Sequence, residues 1–125
     1  MNLPSNLSYT KSHEWVKVSG SVARVGVTDF AQHELTDIVF VELPKENSVL
    51  AAGKNCVVLE SVKTAADVYS PVSGRVIKVN SKAAEAPEVV NHDPYGEGWL
   101  FEVEMSNSNE IDNLLTAAEY EQMVK

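Results

Sequence analysis

Cys56-Val57-Val58-Leu59-Glu60-Ser61-Val62-Lys63-Thr64-Ala65-Ala66-Asp67-Val68-Tyr69-Ser70 is the stretch that decides the fold. Residues 56–60 and 67–70 read as two short strands, rich in β-branched and aromatic side chains. The residues between them read as a hairpin turn, with Lys63 at its tip. A lysine held there stands away from the body of the domain, where a modifying enzyme and later catalysts can all reach the amine. A turn lysine is by default an ordinary solvated residue, so its surroundings must decide. Cys56 alternates with Val58 on one strand face, which predicts a small buried core residue.

Outward from this hairpin, the chain reads as short strands punctuated by turns. Glu14-Trp15-Val16-Lys17-Val18 alternates, meets Ser19-Gly20 and returns as residues 21–27, a hairpin pattern. Residues 29–35 read as a short helix capped by Asp29, with Gln32 completing a box-like pattern. Asp37-Ile38-Val39-Phe40-Val41-Glu42-Leu43 is an apolar strand stopped by Pro44. Arg75-Val76-Ile77-Lys78-Val79-Asn80 alternates, and Trp99-Leu100-Phe101-Glu102-Val103-Glu104 is the last strand. Residues 81–98 read as a long loop, and Trp15 and Trp99 as core. At the C-terminal end Ile111, Leu114, Leu115 and Ala118 switch to helical spacing. Asn107 with Glu110, and Thr116 with Glu119, mark two helix starts. Residues 37–60 and 75–104 each run strand, loop, glycine, strand, a weak internal symmetry with Lys63 between the halves.

The expected fold is mainly β: two small antiparallel sheets packed face to face as a flattened barrel-sandwich, with one short helix in the N-terminal half and short C-terminal helices. With 125 residues, 44% of them hydrophobic, the chain is expected to form one domain over residues 1–125. Its net charge of −8 repels phosphate backbones and argues against a nucleic-acid partner. No apolar run reaches the length of a membrane span. Cys56 is the only cysteine, so no internal disulfide forms. Residues 1–6 lack the pattern of a signal peptide or an organelle presequence, and the expected location is cytoplasmic. His13, His33 and His92 have no metal-ligand spacing, and no acid–base pair, phosphate loop or nucleophile triad stands out. No metal site and no catalytic residue is expected.

Several further stretches carry a resemblance. They are Ser12-His13-Glu14-Trp15, Val25-Gly26-Val27-Thr28-Asp29-Phe30-Ala31-Gln32, residues 37–44, Glu60-Ser61-Val62-Lys63, Ser70-Pro71-Val72-Ser73-Gly74, and Val90-Asn91-His92-Asp93-Pro94-Tyr95-Gly96-Glu97-Gly98-Trp99. In this order and spacing they resemble the H-protein family of the glycine cleavage system, over nearly the whole chain. The resemblance implies a lipoyl/biotinyl-carrier type of fold and a carrier rather than an enzyme. It implies lipoic acid as cofactor, bound covalently as N6-lipoyllysine at Lys63. The implied partners are a pyridoxal-phosphate (PLP) glycine decarboxylase, a tetrahydrofolate-dependent aminomethyltransferase, a flavin (FAD) dihydrolipoamide dehydrogenase, and a lipoate ligase or lipoyl/octanoyl transferase. The carrier is expected to act as a monomer. By the same resemblance Ser12, Glu14 and Asp67 form a cleft for the loaded arm; a hydroxyl and two carboxylates are suited to hold an ammonium.

The sequence departs from the family at three places. Thr36 stands where glycine is frequent, Lys45-Glu46-Asn47 replaces a more usual Glu-Val-Gly, and Thr64 replaces a frequent alanine. Threonine resists positive φ, so the turn at Thr36 is a point to test. A lipoyl relay to 2-oxoacid dehydrogenases, or an H-like modification target, would use the same Lys63. A biotin carrier fits less well, because Val62 and Thr64 stand where biotin carriers place methionines.

Overall fold

The computed structural model describes residues 2–125. In chain order the elements are β1 (Ser8–Tyr9), β2 (Glu14–Ser19), β3 (Val22–Val27), α1 (Asp29–Leu35), β4 (Ile38–Glu42), β5 (Val49–Leu50), β6 (Asn55–Ser61), β7 (Ala65–Tyr69), β8 (Gly74–Val79), α2 (Ser81–Glu85), α3 (Glu88–His92) and β9 (Phe101–Met105). A 3-10 turn (Ser108–Asn113) and α4 (Ala117–Val124) follow. The strands make two antiparallel sheets. One has six strands in the order β1-β2-β3-β9-β8-β5, the other three in the order β4-β6-β7. The expected two-sheet, mainly β architecture is what the chain adopts, as a sandwich whose sheets stay separate rather than closing into a barrel.

Alternation puts one face of each sheet into a shared core. Val16, Val25, Val27 and Phe101 point in from the large sheet; Val41, Val57, Leu59 and Val68 point in from the small one. Full burial of a side chain such as Leu59 contributes about 1.5–3 kcal/mol. The core face of β6 is therefore Val57 and Leu59, and the reading of Cys56 needs correction: it is only half-buried, with its thiol donating to the Val68 carbonyl at 3.6 Å. Burial alternates without a break along β6, and Cys56 with Val58 falls on the half-buried face opposite Val57 and Leu59. The two halves of the weak internal repeat each form an antiparallel pair, β4 with β6 and β8 with β9, but in different sheets.

A second cluster, Leu7, Tyr9, Trp15 and Tyr120, lies under α4. Gly26 faces Trp15 across the β2–β3 pair, and a Cβ at Gly26 would fall 2.6 Å from the indole ring. Only glycine lets that ring lie flat on the sheet. Trp15 is core, as its alternation implies. Trp99 is so only in part: it packs against this cluster but stays partly exposed, with the Arg24 guanidinium carbon 4.4 Å from its ring centroid.

The helix starts differ in part from the expected ones. Thr28, not Asp29, caps α1, by accepting from the Ala31 N–H. Asp29 sits in the first turn, where its carboxylate accepts from the Gln32 amide. Thr116 and Glu119 form a complete capping box on α4. Asn107 caps the 3-10 turn, but Glu110 reaches across to the Ser73 N–H and hydroxyl at 2.7 and 2.8 Å. The expected loop over 81–98 contains α2 and α3. Neither has a side-chain cap: the Asn80 amide before α2 bonds the Glu97 and Trp99 carbonyls, and Pro87 before α3 has no side-chain acceptor. Thr36 does take a positive φ, 63°, and ends α1 with its N–H on the Gln32 carbonyl. The Asn91 amide holds the Thr36 carbonyl at 2.7 Å.

Candidate functional site

The β6–β7 pairing runs to Glu60 opposite Ala65, so the hairpin projects residues 61–64. Ser61 fastens this turn. Its N–H donates to the Thr64 carbonyl at 2.7 Å. Its hydroxyl donates to the same carbonyl at 3.1 Å and accepts from the N–H groups of Lys63 and Thr64 at 3.2 and 3.1 Å. Val62 N–H reaches across to the Asp37 carbonyl at 3.0 Å, tying the turn to the start of β4. Lys63 is exposed at the tip, and no carboxylate among the described residues pairs with its amine. The backbone under Lys63 is fixed while its side chain is free. Ser61 was not among the residues singled out from sequence. Its signal was there: a serine two residues before a turn position is a common hydroxyl-to-amide turn former.

A cleft of about 280 Å³ opens beside this hairpin. The loop before β2 supplies Ser12 and His13, the start of β2 Glu14, α1 supplies Phe30, Ala31 and Glu34, and β7 supplies Ala66 and Asp67. The structure thus brings Ser12, Glu14 and Asp67 together at one cleft, although 55 positions of sequence separate Ser12 from Asp67. Lys63 lies four residues before Asp67, about 13 Å for extended chain.

The three acceptors are not equivalent. Asp67 is exposed at the mouth. Glu14 is 1% exposed, and its carboxylate is engaged on both oxygens. Oε1 accepts from the hydroxyls of Thr10 and Ser12 at 2.5 and 2.6 Å, and Oε2 accepts from the Tyr69 N–H at 3.1 Å. Among the described residues no cation pairs with it. Burial raises its pKa above the ordinary glutamate range, against the pull of these donors. A buried carboxylate with hydrogen bonds but no counter-charge gains stability when a cation arrives. Thr10, absent from the expected site, is the residue that orients Glu14, both by its hydroxyl and by accepting the Glu14 N–H at 3.0 Å. Cys56 lies close enough to feel Glu14; burial first, then that charge, pushes its thiol up to about 12. It stays a thiol and is no nucleophile.

The profile of the family described as Glycine cleavage H-protein matches residues 7–125. The chain belongs to the glycine cleavage H-protein family. Within the H-protein family it is 49% identical over 123 residues to the glycine cleavage system H protein of Carboxydothermus hydrogenoformans, covering 98% of this chain and 95% of that one. It is 51% identical over 120 residues to the H protein of Halothermothrix orenii, covering 96% and 94%. The crystal structure of a glycine cleavage system H protein from Mycobacterium marinum superposes with a TM-score of 0.90 at 38% identity, covering 97% of this chain and 98% of that one. These H proteins span nearly the full length of this chain, so the match includes the lysine turn, the cleft and α4. No helix among the described residues is long and apolar enough to cross a membrane.

Proposed function

We propose that this chain is a lipoyl carrier of the glycine cleavage system, with Lys63 as the acylated residue. The observation that carries the reading is a free lysine on a hydrogen-bonded hairpin tip, beside a cleft lined with acceptors, in a chain of the H-protein family. A lipoyl group on Lys63 supplies reversible thiol–disulfide chemistry that can take up and release a one-carbon cargo.

The residues present fit such a group. Acylation removes the lysine charge and extends the side chain to a reach on the order of 10–15 Å from ordinary bond lengths, comparable with the span from Lys63 to Asp67. Ser61 keeps the attachment point fixed, so the reach is spent on the arm and not on movement of the turn. An aminomethyl cargo carries an ammonium near neutral pH. Asp67 at the mouth and Glu14 in the wall supply anionic acceptors for it, and Ser12 and Thr10 hold Glu14 in place. Phe30, Ala31 and Leu35 line the cleft and reduce contact with water. The cargo would be received from a PLP-dependent glycine decarboxylase and passed to a tetrahydrofolate-dependent aminomethyltransferase. The dithiol would then be reoxidised by dihydrolipoamide dehydrogenase, in the cytoplasm.

The test is intact mass after incubation with a purified lipoate ligase, lipoate and ATP. Wild type should gain roughly 188 Da and Lys63→Arg none. Peptide mapping that finds the acyl group on Lys54 or Lys78 would sink the assignment. For the cleft, Asp67→Asn is the clean variant, because its exposed carboxylate supports nothing else. It should shorten the lifetime of the loaded protein up to about fivefold, the most one exposed ion pair of about 0–1 kcal/mol supplies. An unchanged decay would remove Asp67 from the cleft's function.

A further inference from the structure

His13 stands between Ser12 and Glu14 with its backbone at φ 75°, a left-handed conformation uncommon outside glycine. Hydrogen bonds hold it there. Its N–H donates to the Thr10 carbonyl at 3.2 Å, and its carbonyl accepts from the Thr28 N–H at 3.1 Å. Such a backbone persists only where the surroundings fix it, and it often marks function.

The ring belongs to a chain of three groups. His13 Nδ1 lies 2.7 Å from the Tyr120 hydroxyl, which lies 2.8 Å from the Thr28 hydroxyl. Thr28 is fully buried, and its Oγ1 already accepts from the Ala31 N–H at 3.2 Å. Among the described residues, the Tyr120 oxygen is the one acceptor bonded to that hydroxyl. A buried hydroxyl keeps its proton bonded, so the order of donation is set. Thr28 donates to Tyr120, and Tyr120 donates to His13 Nδ1. An imidazole that accepts at Nδ1 carries its proton on Nε2 when neutral. That Nε2 has no partner among the described residues, and the ring lines the cleft. Packing against Phe30, with centroids 4.8 Å apart, helps to bury the ring. Burial depresses its pKa, while the charge of Glu34 pulls the other way. Glu34 and Tyr120, with Glu14 and Asp67 in the same cleft, are the titratable groups around it.

We infer that His13 is a neutral hydrogen-bond donor of the arm cleft, fixed as its Nε2–H tautomer by Tyr120 and Thr28, and that it holds the free sulfur of the opened arm. This rests on the carrier reading above. The cleft then offers two kinds of partner: anionic acceptors at Glu14 and Asp67 for the ammonium of the cargo, and one neutral donor for the sulfur left unsubstituted. Neutrality matters, because an imidazolium there would compete for Glu14 and repel a cationic cargo. Tyr120 is a positioning residue: it sets the tautomer from α4 and does not itself line the cleft.

Two measurements test this. In the unmodified protein, long-range proton–nitrogen NMR of the imidazoles should show His13 wholly as the Nε2–H form, and Tyr120→Phe should admit a share of the Nδ1–H form. A wild-type ring protonated on Nδ1 overturns the proposal. In lipoylated, reduced protein, the pH profile of thiol alkylation should be near wild type in His13→Gln. In His13→Met it should move to higher pH, with about threefold to tenfold less thiolate at a given pH, the effect of one hydrogen bond. The two replacements have similar length and the same backbone cost, and differ in the N–H. Equal profiles in both variants overturn the donor role. Failure of wild type to accept the lipoyl group would instead count against the carrier reading, and leaves the tautomer measurement standing.

Discussion

Ser61→Ala isolates the turn that presents Lys63. The substitution removes one hydroxyl and three hydrogen bonds: two accepted, from Lys63 and Thr64 at 3.2 and 3.1 Å, and one donated, to Thr64 at 3.1 Å. The backbone bond from Ser61 to Thr64 at 2.7 Å remains. All three lost bonds are at the surface, where water replaces them, so each contributes at the low end of the usual range, about 0.5 kcal/mol. The loss is about 1–1.5 kcal/mol in all. For a chain of this size that lowers Tm by about 4–6 °C if the turn opens only on unfolding. If the acylating enzyme binds only the fastened turn, the apparent affinity falls with the fraction fastened. An opening shift of about 1.4 kcal/mol is tenfold. The assay is the initial rate of acyl transfer at several carrier concentrations, followed by intact mass. If instead the loss opens the turn within the folded protein, kcat/KM falls with the fraction still fastened, about tenfold at most, with kcat nearly unchanged, and Ser61→Thr should restore it. Wild-type kcat/KM in Ser61→Ala would refute the argument that turn order presents the lysine. Unchanged Tm together with unchanged kcat/KM would show that the hydroxyl does not fasten the turn.

Thr36→Gly should raise stability by about 1 kcal/mol, since it relieves a φ of 63° with ψ of −147° and gives back part of the gain as unfolded-chain entropy; urea unfolding that shows a loss would mean the threonine side chain holds the turn. Moving the acceptor one place, as Val62→Lys with Lys63→Val, should abolish acylation, because only position 63 follows the Ser61 fastening; mapping the product by mass spectrometry decides it. The raised pKa of Glu14 sets a pH dependence. Folding takes up a proton here, so the contribution of Glu14 is fully present below its unfolded value near 4.5 and is lost as pH rises through the higher folded value. Relative to Glu14→Gln, which has no such titration, wild type should therefore lose ground as pH rises from about 4.5. Parallel unfolding curves from pH 4 to 7 would show that Glu14 is not desolvated.

The strands that build the sandwich were legible because alternation and turn residues mark them locally. The Lys63 hairpin, the Gly20 turn and the Thr116–Glu119 box all involve residues a few positions apart. The two-residue strands β1 and β5 carry no period to detect, and α2 and α3 lack cap bonds because Asn80 is engaged elsewhere and Pro87 has no side-chain acceptor. Alternation marks the two faces of β6 without saying which one is core, so Cys56 was put on the wrong face. Trp99 packs against the Trp15 cluster but stays partly exposed, with Arg24 and Lys78 over its ring. The cleft residues came from family resemblance; nothing local in the chain says that Ser12, Glu14 and Asp67 meet. Thr10, His13 and Tyr120 were missed because their roles lie in hydrogen bonds to atoms that only the fold brings near.

The bridge between Tyr9 and Leu115 imposes an order of events during synthesis. Tyr9 and Leu115 exchange backbone bonds at 2.8 and 2.7 Å, and Tyr120 then stacks on Tyr9 with centroids 5.0 Å apart. The backbone pairings of the lysine hairpin lie within residues 37–69 and are local, so they are available while the ribosome is still translating. The brace behind His13 must await the residues of α4, more than 100 positions after Tyr9. Contacts of such long separation form late. A nascent chain can therefore present its acceptor lysine before its cleft is complete, and competence to be acylated precedes competence to shelter a cargo.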